Sequence, residues 1–440
     1  MNNDYILNKV KGSLVGLACG DYLGMPYEFM LPYRVRSYFH SHKLEPIETQ
    51  IFNSRVTGYY TDDTSLAICL AESLIEKGFD TKDQFTKYKR WLFEGYATPS
   101  GDKAYGVGQQ TLKSLTKQSE ANLPTKLVND PKAGGNGALM RCAPIGLLYY
   151  KDTSRMIEYS LKSAIVTHNN TIAAWSCVIL NTFIGYGLEG LFKSAYCSQI
   201  LAEIPDIPQE LQKLLNTNFH EIKEDDLKTR GYSLNTLTIA LYAFFTTDTF
   251  SDCLTRAISV GGDTDTQGAV AGALAGAYYG YAAIPETWQN TLMRHDYIVD
   301  LADRLHKSED VATKVLYIIN KSDRKMPAHF TSNGEKTQSF CVDFDINETD
   351  EYEMASEAWA SLSKRSDIKT GEDIMLASYI ATKLNGEDCI PQLYDNIIES
   401  NATNITNNNS GYLQHCMIFG QNRAKGVIRS DDPTPLQSQV

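Results

Sequence analysis

The stretch Gly261-Gly262-Asp263-Thr264-Asp265-Thr266-Gln267-Gly268-Ala269-Val270-Ala271-Gly272-Ala273-Leu274-Ala275-Gly276-Ala277 is acidic at its start and almost bare of side chains in its second half. Ala269, Gly272, Ala273, Gly276, Ala277 and Gly280 recur at three- and four-residue steps, so on a helix they share one face. A face of small residues lets another backbone approach closely, which suits a central, tightly packed helix. The apolar run 269–284 is shorter than the roughly 20 residues a membrane span needs, and burial is the expected outcome. Two glycines followed by Asp-x-Asp are an odd way to begin a helix unless something must come close to the backbone.

Outward from that segment the pattern is helical. Ile6, Leu7, Val10, Leu14 and Leu17 form one apolar stripe, which Gly20 and Gly24 are expected to break. A second helix is expected from Thr61 or Asp62, the N-cap candidates, through Leu66, Leu70 and Leu74 to a stop at Gly78. Segments 171–184, 234–245 and 312–319 also look helical, and period-two alternation is almost absent before residue 330. An all-α region of about 1–325 is therefore expected, followed by an acidic accessory region of about 326–440. The polar stretch Lys321–Lys336 reads as the linker between them. Beyond it, 340–346 is expected as a short strand, 354–363 and 373–384 as helices and 401–409 as a loop, a possible α+β arrangement.

Composition narrows the function. In 440 residues, 41 basic against 53 acidic side chains give a net charge of −12. A general electrostatic grip on nucleic acid or on an anionic membrane is thereby disfavoured, and any acidic ligand must be held locally. Residues 321–440 carry 11 basic and 18 acidic side chains, a net of −7 and more than half of the total. Nine scattered cysteines contain no C-x-x-C pair, which argues against a zinc cage or a disulfide framework. With no basic, apolar leader at Met1–Asp4, cytoplasmic residence is the expectation.

Two acidic clusters share one design: Thr61-Asp62-Asp63-Thr64 at one helix start and Asp263-Thr264-Asp265-Thr266 at another. Each alone is compatible with ordinary capping. Brought into one pocket, four carboxylates would force some to stay protonated unless a cation neutralised them. The donors are all oxygens, favouring Mg²⁺ or Mn²⁺ over Zn²⁺ and leaving Ca²⁺ open. An EF-hand read from Asp263 fails, because position twelve is Leu274 where a bidentate Glu is required. Gly134-Gly135-Asn136-Gly137 reads either as a plain turn or as a loop whose bare backbone can cradle an anion. Arg141, in the apolar stretch 138–150, is expected to pair with a carboxylate or to line the site.

Five motifs in order carry a resemblance: residues 16–28 (GLACGDYLGMPYE), 58–64 (GYYTDDT), 136–141 (NGALMR), Thr167-His168 and 261–266 (GGDTDT). Over about residues 4–320 the chain resembles the ADP-ribosylglycohydrolases, the group that includes dinitrogenase reductase-activating glycohydrolase. The resemblance implies an orthogonal all-α multi-helix bundle with a centre of two divalent cations, Mg²⁺ or Mn²⁺. It also implies cleavage of the glycosidic bond between ADP-ribose and a modified protein side chain, with the ADP-ribosylated protein as substrate and ADP-ribose as product.

Carried over by position, the resemblance assigns Thr61, Asp62, Asp63, Asp263, Asp265 and Thr266 as metal ligands. It makes Glu28 the residue that positions or deprotonates water, with Asp62, Asp63 and Asp265 in the catalytic group. It puts Tyr105, Gly106, Gly108, Gly134, Gly135, Asn136, Gly137, Met140, Arg141 and His168 against the substrate. One departure concerns the acceptor. Arginine-directed relatives carry an aspartate where this chain has Gly106, and Tyr105-Gly106-Val107-Gly108 looks more like the branch acting on serine-linked ADP-ribose. Alternatives are a catalytically silent relative that binds ADP-ribose or serves structurally, and a hydrolase of small-molecule ADP-ribosyl conjugates.

Overall fold

In a computed structural model of the chain, residues 3–308 are described, together with the backbone of 329–332 and 335–338. The chain divides into two units after Ser308. Among the described residues of the first unit are fifteen α-helices. These are α1 (Asn3–Gly24), α2 (Pro32–Phe39), α3 (Asp62–Lys77), α4 (Thr81–Glu94), α5 (Gln109–Lys117), α6 (Ala143–Tyr149), α7 (Thr153–Ile165) and α8 (Thr171–Glu189). There follow α9 (Tyr196–Glu203), α10 (Gln209–Leu215), α11 (Ser233–Phe245), α12 (Phe250–Ser259), α13 (Thr264–Tyr279), α14 (Glu286–Thr291) and α15 (His295–Lys307). A small antiparallel hairpin, β1 (Thr49–Ile51) with β2 (Ser54–Val56), is the sole sheet of this unit among the described residues. Strands of three residues are too short for alternation to show in the sequence.

The expected small-residue helix is α13, buried along nearly its whole length and packed by α1, α8, α11 and α12. Its principal neighbour is α1, and here the expectation that Gly20 breaks the first helix is corrected, whereas Gly24 does end it: α1 runs on through Gly20 and stops at Gly24. Gly12, Gly16 and Gly20 face Gly276, Gly272 and Gly268, and Gly24 faces Thr264, all at four-residue steps in opposite directions. The backbones are so close that a Cβ on Gly20 would lie 1.9 Å from the carbonyl oxygen of Gly268. The glycines serve as an interface, and the closeness of the partner explains why a helix carries four of them despite their entropic cost.

Helices α8 and α11 cover the segments 171–184 and 234–245 that are expected to be helical. Helix α3 begins at Thr61, whose side chain accepts from the Asp63 amide, and ends at Gly78 with φ 66°. Among the described residues, the helix long and apolar enough to cross a membrane is α8, not 269–284, and α8 is mostly buried inside the protein. The six described cysteines in the first unit are free.

In the second unit, His329–Ser332 pairs antiparallel with Glu335–Gln338, so strand backbone occupies part of the stretch expected as linker. Asn333-Gly334 between them is a strong hairpin signal that the polar composition obscured. The expected helix 312–319, strand 340–346, helices 354–363 and 373–384 and loop 401–409 lie outside the described residues.

Candidate active site

The antiparallel glycine contact brings the C-terminal end of α1 to the N-terminal end of α13. Thr264 Oγ1 donates to the carbonyl of Gly24 at 2.8 Å. A single 3₁₀ turn, Met25–Tyr27 with Pro26 inside it, then redirects the chain and presents Glu28. The Phe29 amide donates to the Gly262 carbonyl at 2.8 Å, fastening that turn to the glycine pair ahead of α13. As a result, Glu28, Asp263 and Asp265 each offer a carboxylate oxygen within 4.8 Å of the others.

The second cluster is held by a residue on α1 that the sequence reading assigned no role. Asp21 is fully buried and accepts from the amides of Thr61 and Thr64, both at 3.0 Å, and from Thr64 Oγ1 at 2.6 Å. It caps α3 from outside and fixes where Asp62 and Asp63 lie. Burial raises the Asp21 carboxyl to about 6, against the pull of its hydrogen bonds from Thr64 and Thr61. Asp62, Asp63 and Asp265 stand well above the usual carboxylate range, through burial first and then through the charges of the neighbouring acids. Glu28 is pushed up to about 7 by burial and then by Asp263 and Asp21. The acids from both helix starts and from the turn after α1 thus repel one another in one place.

That arrangement fits a divalent cation. Thr61 Oγ1 donates to Asp63 Oδ2 at 3.1 Å, but Asp63 Oδ1 is buried without a partner. A buried, unpaired carboxylate oxygen among other carboxylates is costly unless a positive charge is supplied. Every candidate donor is an oxygen, and Thr266 is buried beside Asp265, its amide donating to Asp265 Oδ1 at 2.8 Å.

The other expected residues fall into two groups. Gly106, with φ 87°, abuts the acids so closely that a Cβ there would sit 2.6 Å from Asp62 Oδ1. Tyr105 packs edge-on to Tyr59 and Phe52, and its phenol is raised by burial, then by Glu28 and Asp265. Gly108 precedes α5, where a Cβ would have Thr111 Oγ1 as its nearest neighbour at 4.0 Å, and has no comparable steric need.

The glycine loop is tied to the same centre. Asn136 Nδ2 donates to Asp263 Oδ2 at 2.7 Å and to Thr236 Oγ1 at 2.9 Å. The His168 ring lies against Gly137, where a Cβ would be 2.8 Å from Cε1. Burial, then the Arg141 charge, depress the imidazole to about 3, so it is neutral. Met140 is buried in the core, its amide donating to the Asn136 carbonyl.

Arg141 corrects the expectation of a carboxylate partner. It donates from Nη1 to the Gly137 carbonyl at 2.7 Å and from Nη2 to Thr167 Oγ1 at 2.6 Å. Its guanidinium carbon lies 4.5 Å from the centre of the Tyr88 ring. Delocalised charge over an aromatic face, with donors satisfied by neutral oxygens, takes the place of an ion pair.

Segment 229–233 was missed by the sequence reading. Gly231 accepts from the Asn136 amide, Ser233 Oγ donates to the Gly135 carbonyl at 2.7 Å, and the Tyr232 ring covers Gly134. Its one signal was Gly231 just ahead of a helix start, which reads as an ordinary turn.

The site is thus an acidic, oxygen-lined meeting of two helix starts in an all-helical bundle, tied to a glycine loop. The sequence model of the family described as ADP-ribosylglycohydrolase matches residues 1–314, and the chain belongs to that family, hydrolases of glycosidic linkages to ADP-ribose. It is 31% identical over 303 residues to ADP-ribosylarginine hydrolase Tri1 of Serratia proteamaculans, covering 68% of this chain and 79% of that protein. It is 28% identical to the ADP-ribosyl-[dinitrogen reductase] glycohydrolase of Rhodospirillum rubrum, over 66% of this chain and 92% of the relative. ADP-ribosylhydrolase ARH3 of Homo sapiens is also 28% identical, with 68% and 93% covered. A solved structure titled ADP-ribosylglycohydrolase-related protein complex superposes with a TM-score of 0.59 at 31% identity, over 70% of this chain and 99% of that one.

Proposed function

We propose that the protein is a Mg²⁺- or Mn²⁺-dependent hydrolase that releases ADP-ribose from a modified protein side chain. The observation that carries the reading is the convergence of Glu28, Asp263 and Asp265 with the Asp62-Asp63 helix start, leaving Asp63 Oδ1 buried and unpaired. Thr61, Asp62, Asp63, Asp263, Asp265 and Thr266 would hold two divalent cations. When bound, such ions supply Lewis acidity and a template for ribose hydroxyls and water.

The chain's own groups do the rest. Glu28, set against Asp263 and Asp265, orients the attacking water and takes its proton on a carboxylate oxygen. Hydrolysis at the anomeric carbon passes through an oxocarbenium-like state: the bond from that carbon to the side-chain nitrogen or oxygen breaks as the bond to water forms, and the proton Glu28 takes from water is returned to the departing atom. The Gly135–Gly137 part of the loop, beside His168, receives the diphosphate, and Asn136 keeps that loop in register with the acids through Asp263. Tyr105 and Gly106 border the acceptor side, next to Asp62.

Arginine-linked ADP-ribose is the first substrate to test, because the Serratia relative bears that activity in its name. Gly106 favours a second reading, a serine-linked conjugate, since an aspartate there would collide with Asp62. Labelled ADP-ribosyl conjugates of both kinds, incubated with and without chelator, decide. Release of free ADP-ribose that stops with EDTA and with Asp63→Ala plus Asp265→Ala supports the reading; release indifferent to both overturns it.

A further inference from the structure

Beside the glycine loop, three side chains form a line in which a single arrangement of protons pairs every group. Arg141 is 1% exposed, and its guanidinium can only donate hydrogen bonds. Nη2 donates to Thr167 Oγ1 at 2.6 Å, so that oxygen is already an acceptor. Its own hydroxyl proton has one polar neighbour, His168 Nδ1, at 2.8 Å. A hydroxyl oxygen can accept twice, but if Nδ1 were protonated the Thr167 hydroxyl proton would have no acceptor among the described residues; the fully paired arrangement has Thr167 donating to an Nδ1 without a proton of its own. A neutral imidazole with a bare Nδ1 carries its proton on Nε2.

Nε2 has no hydrogen-bond partner among the described residues, although His168 is 2% exposed. It faces the loop: Cβ atoms built on Gly135 and Gly137 would lie 3.3 and 3.2 Å from it. An Nε2–H on that side of the ring stands free to meet a ligand oxygen. The neighbouring peptide is held as well, with the Thr167 carbonyl accepting from Gln110 Nε2 and Ser114 Oγ, each at 2.8 Å, and the His168 amide donating to the Ala164 carbonyl.

We infer that Arg141 and Thr167 are positioning residues, which through the line Arg141 Nη2, Thr167 Oγ1, His168 Nδ1 lock His168 as the Nε2–H tautomer and aim one uncharged donor at an oxyanion oxygen beside Gly135–Gly137. The identity of that oxygen as part of ADP-ribose rests on the function proposed above; the tautomer does not. Burial and the Arg141 charge, which keep the ring neutral, act in the same direction. The donor is thus the same at pH 5.5 and pH 8, and His168 takes no part as a general acid.

The test uses the full-length protein with ¹⁵N-labelled histidine. Two-bond ¹H–¹⁵N correlation spectra separate the two tautomers and the imidazolium, and His168→Asn assigns the signal among the eight histidines. The expected spectrum shows a protonated Nε2 and a bare Nδ1 for His168 from pH 5.5 to 8. Thr167→Val keeps the shape and deletes the hydroxyl, and is expected to mix the tautomers; Thr167→Ser is expected to restore the single form. With an ADP-ribosylated protein as substrate, Thr167→Val should raise KM by about tenfold, the size of one lost hydrogen bond, with kcat little changed, and Thr167→Ser should recover it.

A protonated Nδ1 in the wild type, or an unchanged spectrum in Thr167→Val, overturns the inference. An Nε2–H signal that responds to Thr167→Val, with calorimetry showing no uptake of ADP-ribose, upholds the tautomer lock and overturns the proposed function instead.

Discussion

Asp63 and Asp21 are both buried acids at the start of α3, yet removing each should have opposite consequences for stability. Asp63 has one oxygen unpaired, and burial and then its acidic neighbours hold its carboxyl far above the usual range. Asp63→Asn removes that strain, so in chelator the thermal midpoint is expected to rise by a few degrees. ADP-ribose release should fall by about two orders of magnitude or more, since ligand geometry and polarisation are lost together. Asp21 is paired on both oxygens, and Asp21→Ala strands the amides of Thr61 and Thr64. That change should cost about 3 kcal/mol, read as a lower midpoint in thermal melts. A lower midpoint for Asp63→Asn would contradict the strained-acid account. The acids of the two helix starts were legible in the sequence because paired aspartates beside threonine or glycine stand out. Asp21 was not, because one acid inside an apolar stripe gives no sign of which amides it will cap. Nor did Arg141 reveal its partners, since a cation in an apolar run demands compensation without saying that a tyrosine face and a threonine will supply it.

At the level of elements, the contact of α1 with α13 governs how the turn bearing Glu28 meets Asp263 and Asp265. The glycines of α13 announced that some backbone would come close. Gly20, one of their mates on α1, was read with Gly24 as a breaker, because glycine at four-residue steps has the same appearance in a helix end and in a helix interface until the partner is known. Substitution separates the two cases. Gly20→Ala would put a methyl 1.9 Å from the Gly268 carbonyl oxygen, where neither backbone can yield without shifting the helix. The expected loss is about 3 kcal/mol or more, accompanied by lower ADP-ribose release because Glu28 moves relative to α13. Gly108→Ala meets only an ordinary contact with Thr111 Oγ1 at 4.0 Å and has φ −67°, and should change stability by less than about 1 kcal/mol. Urea unfolding of the two variants measures the contrast; equal losses would mean that the helices tolerate spreading.

For the whole molecule, the accumulated acids make stability a function of both pH and cation. Asp21, raised to about 6, and Glu28, raised to about 7, bind protons more tightly in the folded chain than in the unfolded one, where carboxyls titrate near about 4. A raised folded value means that the stabilising contribution of protonation is complete below about pH 4 and is lost as pH climbs through 6 to 7. The directions at Asp62, Asp63 and Asp265 add to the same trend. In chelator, the local contribution therefore declines from pH 5 to pH 7.5, against the usual course in which paired carboxylates gain strength over that range. A cation does at neutral pH what protons do at acid pH, and it binds the folded state alone. The gap between melting midpoints with Mg²⁺ and with EDTA should accordingly be small at pH 5 and widen towards pH 7.5. Replacing Asp63 and Asp265 together by Asn should close the gap at every pH, since it removes both the repulsion and the ligands. Calorimetric melts of the full chain at four pH values, with and without Mg²⁺, carry the test; a gap independent of pH would mean that the acids are compensated by something other than a metal.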